Sequence, residues 1–473
     1  MSSTTINADL AAGRAALAHD DRATAGIVYA YTASAAFWLL VGSAYGTLAA
    51  CKLVWPDLLP FEWLSFGRIR PIHTASVLFG WLSVGLTGIA YLVVYRTARR
   101  VPFSNALAHV GLWLLNLALF AGVITLSLGI TRGPVEYREW LTPVAAAFAA
   151  GSLLNGANIL VTLVRRRTEE LYIADWFILG AFTWLPILYV IGYLPAFDRG
   201  IGNVVIQGYY MHVVLGLWFT PLVLGVTYWA LPRMLHKPIY SYALGVLAFW
   251  SNLVFYPLIG AHHFVFAPLP WWLQTTAIAT GIGMMIPVVA SSGNFLLTMK
   301  GSWRLIRHEP AVWFIAVGAA SYLVASLQGS LQSFRSANAL LHFTNHTVGH
   351  AHFAVYGFVS FLLFGAAYGL VPHITGAQDV HMRLRLHFWL ALGGMALYVV
   401  AMVVAGVLQG MSWADGRPFI ESVVAIKPWY AVRAVGGALM TLGHVVFAWN
   451  LWLMRPQPRP AEAWVSPALE AAR

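Results

Sequence analysis

The sequence carries little charge and almost no cysteine. Of 473 residues only 10% are charged, whereas 59% are hydrophobic. Soluble globular proteins have about 25% charged residues, so the composition excludes a soluble enzyme and a disordered or fibrous chain. Cys51 is the single cysteine, which excludes an internal disulfide, a two-cysteine copper centre and a c-type haem attachment motif. The first 24 residues lack the apolar stretch of a secretory signal, which predicts that the N-terminus stays in the cytoplasm.

Apolar stretches long enough to cross a membrane recur along the chain. A spanning helix needs about 20 apolar residues, and we predict an all-α polytopic membrane protein of twelve transmembrane helices. The predicted spans are 26–52, 72–96, 105–130, 141–165, 174–196, 203–231, 239–262, 271–299, 310–334, 343–372, 386–410 and 428–454. The chain then divides into an N-terminal tail (1–25), one twelve-helix domain (26–455) and a C-terminal tail (456–473).

The net charge of +11 is explained by basic loops between the predicted spans. Arginines and lysines concentrate in the connections that follow the even-numbered spans, and basic loops of membrane proteins stay in the cytoplasm. This pattern places both termini in the cytoplasm. It also favours membrane lipid over nucleic acid as the surroundings of the basic residues, so we predict no nucleic-acid partner.

Histidines inside the predicted spans are the main functional signal. The chain has 16 histidines, and an intramembrane polar side chain is costly enough to indicate a function. For a single intramembrane histidine, such as His109 or His444, a hydrogen bond across helices is an equally good explanation. His387 is interpreted as a solvated residue at a span edge. Six others, on four spans, share one depth in the outer part of the membrane. They are His73, His212, His262, His263, His350 and His352.

The spacing of these six histidines indicates bound cofactors. His350 and His352 point about 200° apart on a helix, so one helix can ligate two cofactors on opposite sides. The His262–His263 pair can offer two nitrogens to one metal, and His212 a third, which suits a transition metal such as copper. His73 can pair with a span-10 ring across an iron porphyrin, whereas a haem with one histidine keeps a position open for a diatomic ligand.

The segments around these histidines resemble the catalytic subunit of the haem–copper oxidases, specifically the C-family or cbb-type cytochrome c oxidases. The resemblance covers about residues 60–455. It rests on RPIHT (70–74), MHVVLGLWFT (211–220), YPLIGAHH (256–263), NALLHFTNHTVGHAH (338–352), and VLQGMSW with YAVRAVGG (within 407–437). The resemblance implies that His73 and His352 hold a low-spin haem b. It further implies that His350 is the proximal ligand of a high-spin haem b or modified haem, and that the copper called CuB is bound by His212, His262 and His263.

The resemblance also assigns other site residues. Tyr256 corresponds to the active-site tyrosine that is covalently joined to the span-6 copper ligand, here His212, so these two residues are the predicted catalytic pair. Arg70 and Arg433, the latter opening span 12, are predicted to pair with haem propionates, since a guanidinium can pair bidentately with a carboxylate. The loop 131–140, with Glu136 and Glu139, resembles an acidic loop that helps to bind calcium.

A proton path from the cytoplasm is predicted along spans 6, 8 and 9. Its candidate members are Tyr228, Asn294, Thr298, Tyr322, Ser326 and Gln328. Two positions depart from the family pattern, which usually has a glutamate in place of Gln328 and an acid in place of Asn345. Since an amide cannot ionise, these departures bear on proton pumping more than on metal binding.

The predicted function is reduction of dioxygen to water, coupled to proton uptake or pumping. Because the chain has no c-type haem motif, electrons must come from partner subunits, which in this family are membrane-anchored c-type cytochromes. The expected location is the bacterial inner membrane, with the metal centres toward the periplasm. One alternative is a nitric oxide reductase of the same superfamily, although Tyr256 and the lack of a glutamate after His212 favour dioxygen and copper. The other is a twelve-span transporter without redox centres, but we find no internal repeat.

Overall fold

A computed structural model describes residues 3–133, 135–194, 199–377 and 381–456 of the chain. The regular structure of these residues is helical, without a strand. Twelve helical spans are long and apolar enough to cross a membrane, as predicted. Numbered in chain order, spans 1 to 12 are Asp20–Val54, Phe66–Thr97, Asn105–Ser127, Thr142–Val164, Ile173–Tyr193, Gly200–Met234, Tyr242–Phe264, Trp271–Met299, Pro310–Ser333, Asn345–Thr375, Arg383–Ala414 and Phe419–Leu453.

The starts of spans 1, 2 and 12 differ from the prediction, and span 2 begins at Phe66 instead of residue 72. The helix that contains span 1 begins at Ser3, inside the predicted tail, because the preceding segment is rich in alanine and leucine, which favour helix. Span 12 begins at Phe419 and continues through Pro428, which was expected to mark its start. Neighbouring helices make a proline tolerable in a membrane helix. Arg433 therefore lies well inside span 12 rather than at its opening. Residues 457–473 of the predicted C-terminal tail lie outside the described residues.

Three spans form the centre of the bundle. In spans 2, 6 and 10, 94%, 94% and 83% of the most apolar window is buried inside the protein, against 33–56% in the other nine. A helix that is apolar all round and packed on every side belongs to the interior. The other spans therefore separate these three from lipid.

Each inner span contains a π-helical segment next to a predicted ligand. The segments are Ser76–Val84 in span 2, Leu215–Phe219 in span 6 and Phe353–Ser360 in span 10. They follow His73 and His212 after two intervening residues, and they directly follow His352. A π-turn accommodates an extra residue in the helix and is frequent at functional sites.

Buried polar side chains tie the inner spans to the outer ones. Asn155 of span 4 is fully buried, and its amide oxygen accepts hydrogen bonds from the hydroxyls of Tyr31 in span 1 and Tyr91 in span 2. Asn158, one turn away, donates to the hydroxyl of Tyr91 and to the backbone of Ser104. One amide thus links three spans in the apolar interior.

Replacement of Asn155 tests this link. Asn155→Ala leaves the buried hydroxyl of Tyr91 without its acceptor, whereas the hydroxyl of Tyr31 keeps the backbone carbonyl of Ala108. We therefore expect the replacement to lower the free energy of unfolding by about 1–3 kcal/mol. Denaturant unfolding of the detergent-solubilised protein measures the change. The control is Thr183→Ala, an exposed residue whose hydroxyl donates only within its own helix. Equal stability of the two variants would contradict the structural role of Asn155.

Candidate metal centre

Spans 6 and 7 bring three histidines into one cluster. His212 lies near the end of the first helical segment of span 6, and His262 and His263 lie in a short 3-10 turn, Gly260–Phe264, at the C-terminal end of span 7. Nδ1 of His212 lies 2.8 Å from Nε2 of His263, and one ring nitrogen from each of the three residues lies within 4.8 Å of the others.

The ring orientations suit a shared metal ion. The ring of His212 lies 4.5 Å from that of His262 and 4.9 Å from that of His263, measured between centroids, with interplanar angles of 79° and 58°. The rings therefore approach from different directions instead of stacking. Three neutral imidazoles without a carboxylate are a donor set for copper, zinc or iron rather than for magnesium or calcium.

Tyr256 packs against this cluster, as its predicted role requires. Its ring lies 5.2 Å from the ring of His212 at an interplanar angle of 26°. Gly216 makes this approach possible, because a methyl group at residue 216 would lie only 1.7 Å from the tyrosine ring. The helix that carries His212 therefore needs a glycine one turn later.

His73 and His352 form a second histidine group. Their rings are nearly parallel, with an interplanar angle of 10° and a centroid distance of 6.2 Å. Nδ1 of His73 donates to the backbone carbonyl of Gly42 at 2.7 Å, and Nδ1 of His352 donates to that of Val348 at 2.9 Å. These bonds put the ring proton on Nδ1 and leave Nε2 of both rings as a potential ligand. Tyr398 contacts Nε2 of His352 at 3.2 Å.

The spacing of this pair fits an iron between the rings. An imidazole nitrogen binds a transition metal at about 2 Å, so two rings that share one metal have centroids roughly 6 Å apart, as His73 and His352 do. The six predicted ligands are also only half-buried, although they lie in the interior of the bundle. Each ring therefore borders space that protein atoms do not fill, whereas the intramembrane His346, His387 and His444 are buried by protein.

His350 stands apart from both groups and has a different partner. Its Nδ1 lies 3.3 Å from Oε1 of Gln328 in span 9. Gly329 leaves room beside the ring, since a methyl group there would lie 3.3 Å from Nε2. His350 and His352 thus contact different neighbours, as their positions on opposite sides of one helix predict.

The two arginines assigned to haem propionates have different surroundings. Arg70 forms an ion pair with Glu136, a loop residue that was predicted to bind calcium. The guanidinium of Arg433 lies over the ring of Tyr398, 5.2 Å from its centroid, and its Nε is buried without a hydrogen-bond partner among the described residues. The Nε–H group of Arg433 is therefore available to donate a hydrogen bond beside His352.

The predicted proton-path residues are only partly connected. The hydroxyl of Tyr228 donates to Ser291 at 3.4 Å. The side-chain amide of Asn294 accepts a hydrogen bond from the backbone N–H of Ser241 and donates one to its backbone carbonyl. Asn294 therefore anchors the start of span 7. In the part of the chain that the structure describes, the buried hydroxyls of Tyr322 and Ser292 have no partner.

Several of these contacts were not foreseen from the sequence. The two serines of span 8, His346 and Tyr398 carried no recognisable signal. His387 is fully buried and bonds to Tyr368, so its interpretation as a solvated residue was wrong. A helix edge adjoining a polar loop can still be covered by neighbouring spans. His444 bonds to Ser43 and Tyr356 across helices, the simpler of its two predicted roles.

Burial raises the pKa of two groups in the loop that contains Glu136 and Glu139. Glu139 is 9% exposed, and loss of solvation raises the pKa of its carboxyl from 4.5 to about 7. Burial also raises the pKa of Tyr137 in the same loop. Among the described residues the clustered candidate metal ligands are the three histidines, not Glu136 and Glu139.

Comparison with known proteins gives a consistent result. The profile of the family described as cytochrome c and quinol oxidase polypeptide I matches residues 26–439. The chain is 31% identical over 444 residues to the cbb3-type cytochrome c oxidase subunit CcoN1 of Stutzerimonas stutzeri, covering 90% of this chain and 94% of that protein. It is 32% identical over 443 residues to a cytochrome c oxidase subunit 1 homolog of Agrobacterium tumefaciens, covering 88% and 80%.

A solved structure shares the fold. The cryo-EM structure of a heme-copper terminal oxidase dimer aligns with a TM-score of 0.75 and 15% sequence identity, covering 93% of this chain and 85% of that chain. At this identity the likeness concerns the fold alone.

The three-histidine cluster predicts a metal-binding defect. His263→Ala removes one of the three predicted ligands, so we expect the copper content of the purified protein to fall by about tenfold or more. Elemental analysis measures the ratio of copper to protein. The control is His109→Ala, since His109 is exposed on the surface of span 3. An unchanged copper content in the His263 variant would contradict the assignment.

The buried carboxyl of Glu139 predicts a pH dependence of stability. With a pKa of about 7 in the folded protein and 4.5 as its ordinary value, this group binds more protons in the folded state between these limits. Stability should therefore fall as pH rises from about 5 to 7. Glu139→Gln should flatten this slope in thermal melts, whereas Glu62→Gln, an exposed control, should keep it. A slope unaffected by Glu139→Gln would argue against the buried carboxyl.

Proposed function

The chain belongs to the cytochrome c and quinol oxidase polypeptide I family, and we propose that it is the catalytic subunit of a bacterial terminal oxidase that reduces dioxygen to water. The observation that carries this proposal is the contact of Tyr256 with His212 inside the three-histidine cluster. A redox-active phenol beside a copper site is what cleavage of dioxygen needs. The chain also has no glutamate directly after His212, where a non-haem iron site would use one.

Each histidine group has a proposed cofactor. His73 and His352 would hold a low-spin haem b, and His350 would be the ligand of a high-spin haem, of type b or modified. CuB would be bound by His212, His262 and His263. When bound, these groups supply the electrons and the open coordination position at which a diatomic molecule is reduced.

The residues of this chain would supply a proton and fix the orientation of the histidine rings. Tyr256 would hold a proton on its phenol oxygen and release it, with an electron, beside the copper ligands. Its ring contact with His212 favours the covalent joining of the two side chains that the resemblance implies. The backbone carbonyls of Gly42 and Val348 hold the protons of His73 and His352 on Nδ1, so that Nε2 of both rings would be available to hold a haem iron.

A proton path from the cytoplasmic side is proposed along spans 6, 8 and 9. The hydroxyl bond from Tyr228 to Ser291 supports its first part. The buried hydroxyls of Ser292 and Tyr322 support its continuation, because buried polar groups that lack a protein partner usually bind ordered water. Gln328 cannot ionise, so any transfer past it depends on water, and coupling to proton pumping stays a prediction.

Two further ligand assignments belong to the proposal. Arg433 has a buried donor beside His352 and is the better candidate for a haem propionate. Arg70 would serve only in competition with Glu136. Calcium binding by Glu136 and Glu139 stays a prediction, since the ion would have to displace this same ion pair.

The chain is a multi-pass membrane protein, and its family and bacterial relatives support location in the inner membrane. We propose that both termini face the cytoplasm and that the metal centres lie toward the periplasm, because the basic connections follow the even-numbered spans. We further propose that electrons come from membrane-anchored c-type cytochrome subunits. The single cysteine of the chain cannot attach a c-type haem of its own.

Carbon monoxide binding tests the proposed roles of the histidines. His350→Ala should abolish carbon monoxide binding to the reduced protein and keep the low-spin haem absorption, because only the high-spin haem has an open position. His73→Ala should first remove the low-spin absorption. The exposed His109→Ala serves as control.

Two outcomes would contradict the proposal. Carbon monoxide binding that persists in His350→Ala would reject the ligand assignment. A purified protein that turns over nitric oxide but not dioxygen would reject the oxidase in favour of the reductase.

A further inference from the structure

The connection between spans 8 and 9 contains a basic surface cavity that the proposed function does not use. The cavity lies beside the short helix Trp303–His308 and has a volume of about 400 Å³. Its lining consists of Gly301, Ser302, Arg304, Leu305 and His308. We propose that this cavity binds the phosphate group of an anionic membrane phospholipid whose acyl chains lie along span 8.

The charge of this connection suits an anionic ligand. Lys300, Arg304 and Arg307 are exposed, and Glu309 is the only carboxylate between spans 8 and 9. In the part of the chain that the structure describes, the side chains of the two arginines have no hydrogen-bond or ion-pair partner. Their guanidinium groups therefore keep all their donors for a ligand. Three cations against one carboxylate favour a phosphate over a neutral or cationic group.

The side chains that line the cavity place hydrogen-bond donors around an apolar residue. Arg304 and His308 are four residues apart, so they project from the same side of the short helix. A guanidinium can donate two parallel hydrogen bonds to a phosphate, and the imidazole and the hydroxyl of Ser302 can donate further ones. Leu305 adds an apolar contact for the glycerol part of a lipid. This combination fits an amphiphilic headgroup better than a free anion.

The exposed face of span 8 provides the apolar part of the site. Four apolar side chains in its C-terminal half are exposed and recur at helical spacing, so they form one stripe that ends within one turn of the connection. They are Ile286, Val289, Leu296 and Leu297. Trp303, beside the cavity, is 60% exposed, and tryptophan favours the boundary between lipid and water. A phospholipid can contact the stripe and the cavity together, whereas a free phosphate ion or a nucleotide can use only the cavity.

Contacts to neighbouring segments hold the connection in a fixed shape. The indole N–H of Trp313 in span 9 donates to the backbone carbonyl of Ile306 at 2.6 Å. The ammonium of Lys237, in the connection between spans 6 and 7, donates to the backbone carbonyl of Lys300 at 2.8 Å. Gly301 has a φ of +83°, a left-handed conformation that glycine adopts without strain. The cavity is therefore formed before a ligand binds, which reduces the entropy cost of binding.

Native mass spectrometry of the isolated protein, first stripped of lipid, tests this proposal. Arg304→Gln removes the charge and the paired donors of the guanidinium. Because one basic residue near an anionic lipid changes the affinity about fivefold, we expect the dissociation constant of the tightest-bound phosphatidylglycerol to rise by this factor. The matched control is Arg99→Gln, which removes an exposed arginine between spans 2 and 3 and should bind phosphatidylglycerol like wild type. Phosphatidylcholine, which has no net charge, should bind more weakly and equally to wild type and Arg304→Gln.

Three outcomes would overturn the lipid site. The first is an unchanged dissociation constant in Arg304→Gln. The second is an equal rise in Arg99→Gln, because the lipid would then respond to the basic surface as a whole and not to this cavity. The third is displacement of the lipid by inorganic phosphate at the same concentration, which would identify the ligand as a free anion. None of these measurements requires bound haem or copper, so their results are independent of the proposed function.

Discussion

The structure depends on the exclusion of lipid from three inner spans. Because spans 2, 6 and 10 are packed on nearly every side, polar side chains on them can face one another instead of hydrocarbon. Each carries a π-helical segment beside a histidine, which changes the direction of the side chains that follow. With the 3-10 turn at the end of span 7, this arrangement brings His212 to His262 and His263, and His73 to His352.

Neutral imidazole suits this interior for a physical reason. An ionised carboxylate in an apolar bundle needs a paired charge, whereas a neutral imidazole needs only one hydrogen bond to fix its proton. Each of three histidines has such a bond, and the acceptors differ. His73 and His352 donate to backbone carbonyls, which cannot change with sequence, while His350 depends on the side chain of Gln328. Of these three acceptors, only the one bonded to His350 can be removed by a single substitution.

The sequence predicted the parts of the site that depend on residue type and depth. Twelve spans and the histidine groupings follow from hydropathy and spacing, and the structure confirms the spans. It brings the rings of each group close together, while their roles as ligands stay a prediction. The sequence could not reveal which buried polar groups would form hydrogen bonds with each other. Asn294 anchors a helix start, His346 bonds to a neighbouring span, and Arg433 lies deeper than expected because span 12 continues through Pro428. These outcomes depend on packing between distant segments, which periodicity within one helix does not encode.

The central claim is that one chain holds two porphyrins and a copper ion between histidines of the inner spans and span 7. The most direct measurement is a cofactor inventory of the isolated complex, combining haem extraction with elemental analysis and normalised to this chain. We expect two haems that are not covalently attached and one copper per chain, after subtraction of any covalently attached haem of partner subunits. A chain with a single haem, or with non-haem iron in place of copper, would contradict it.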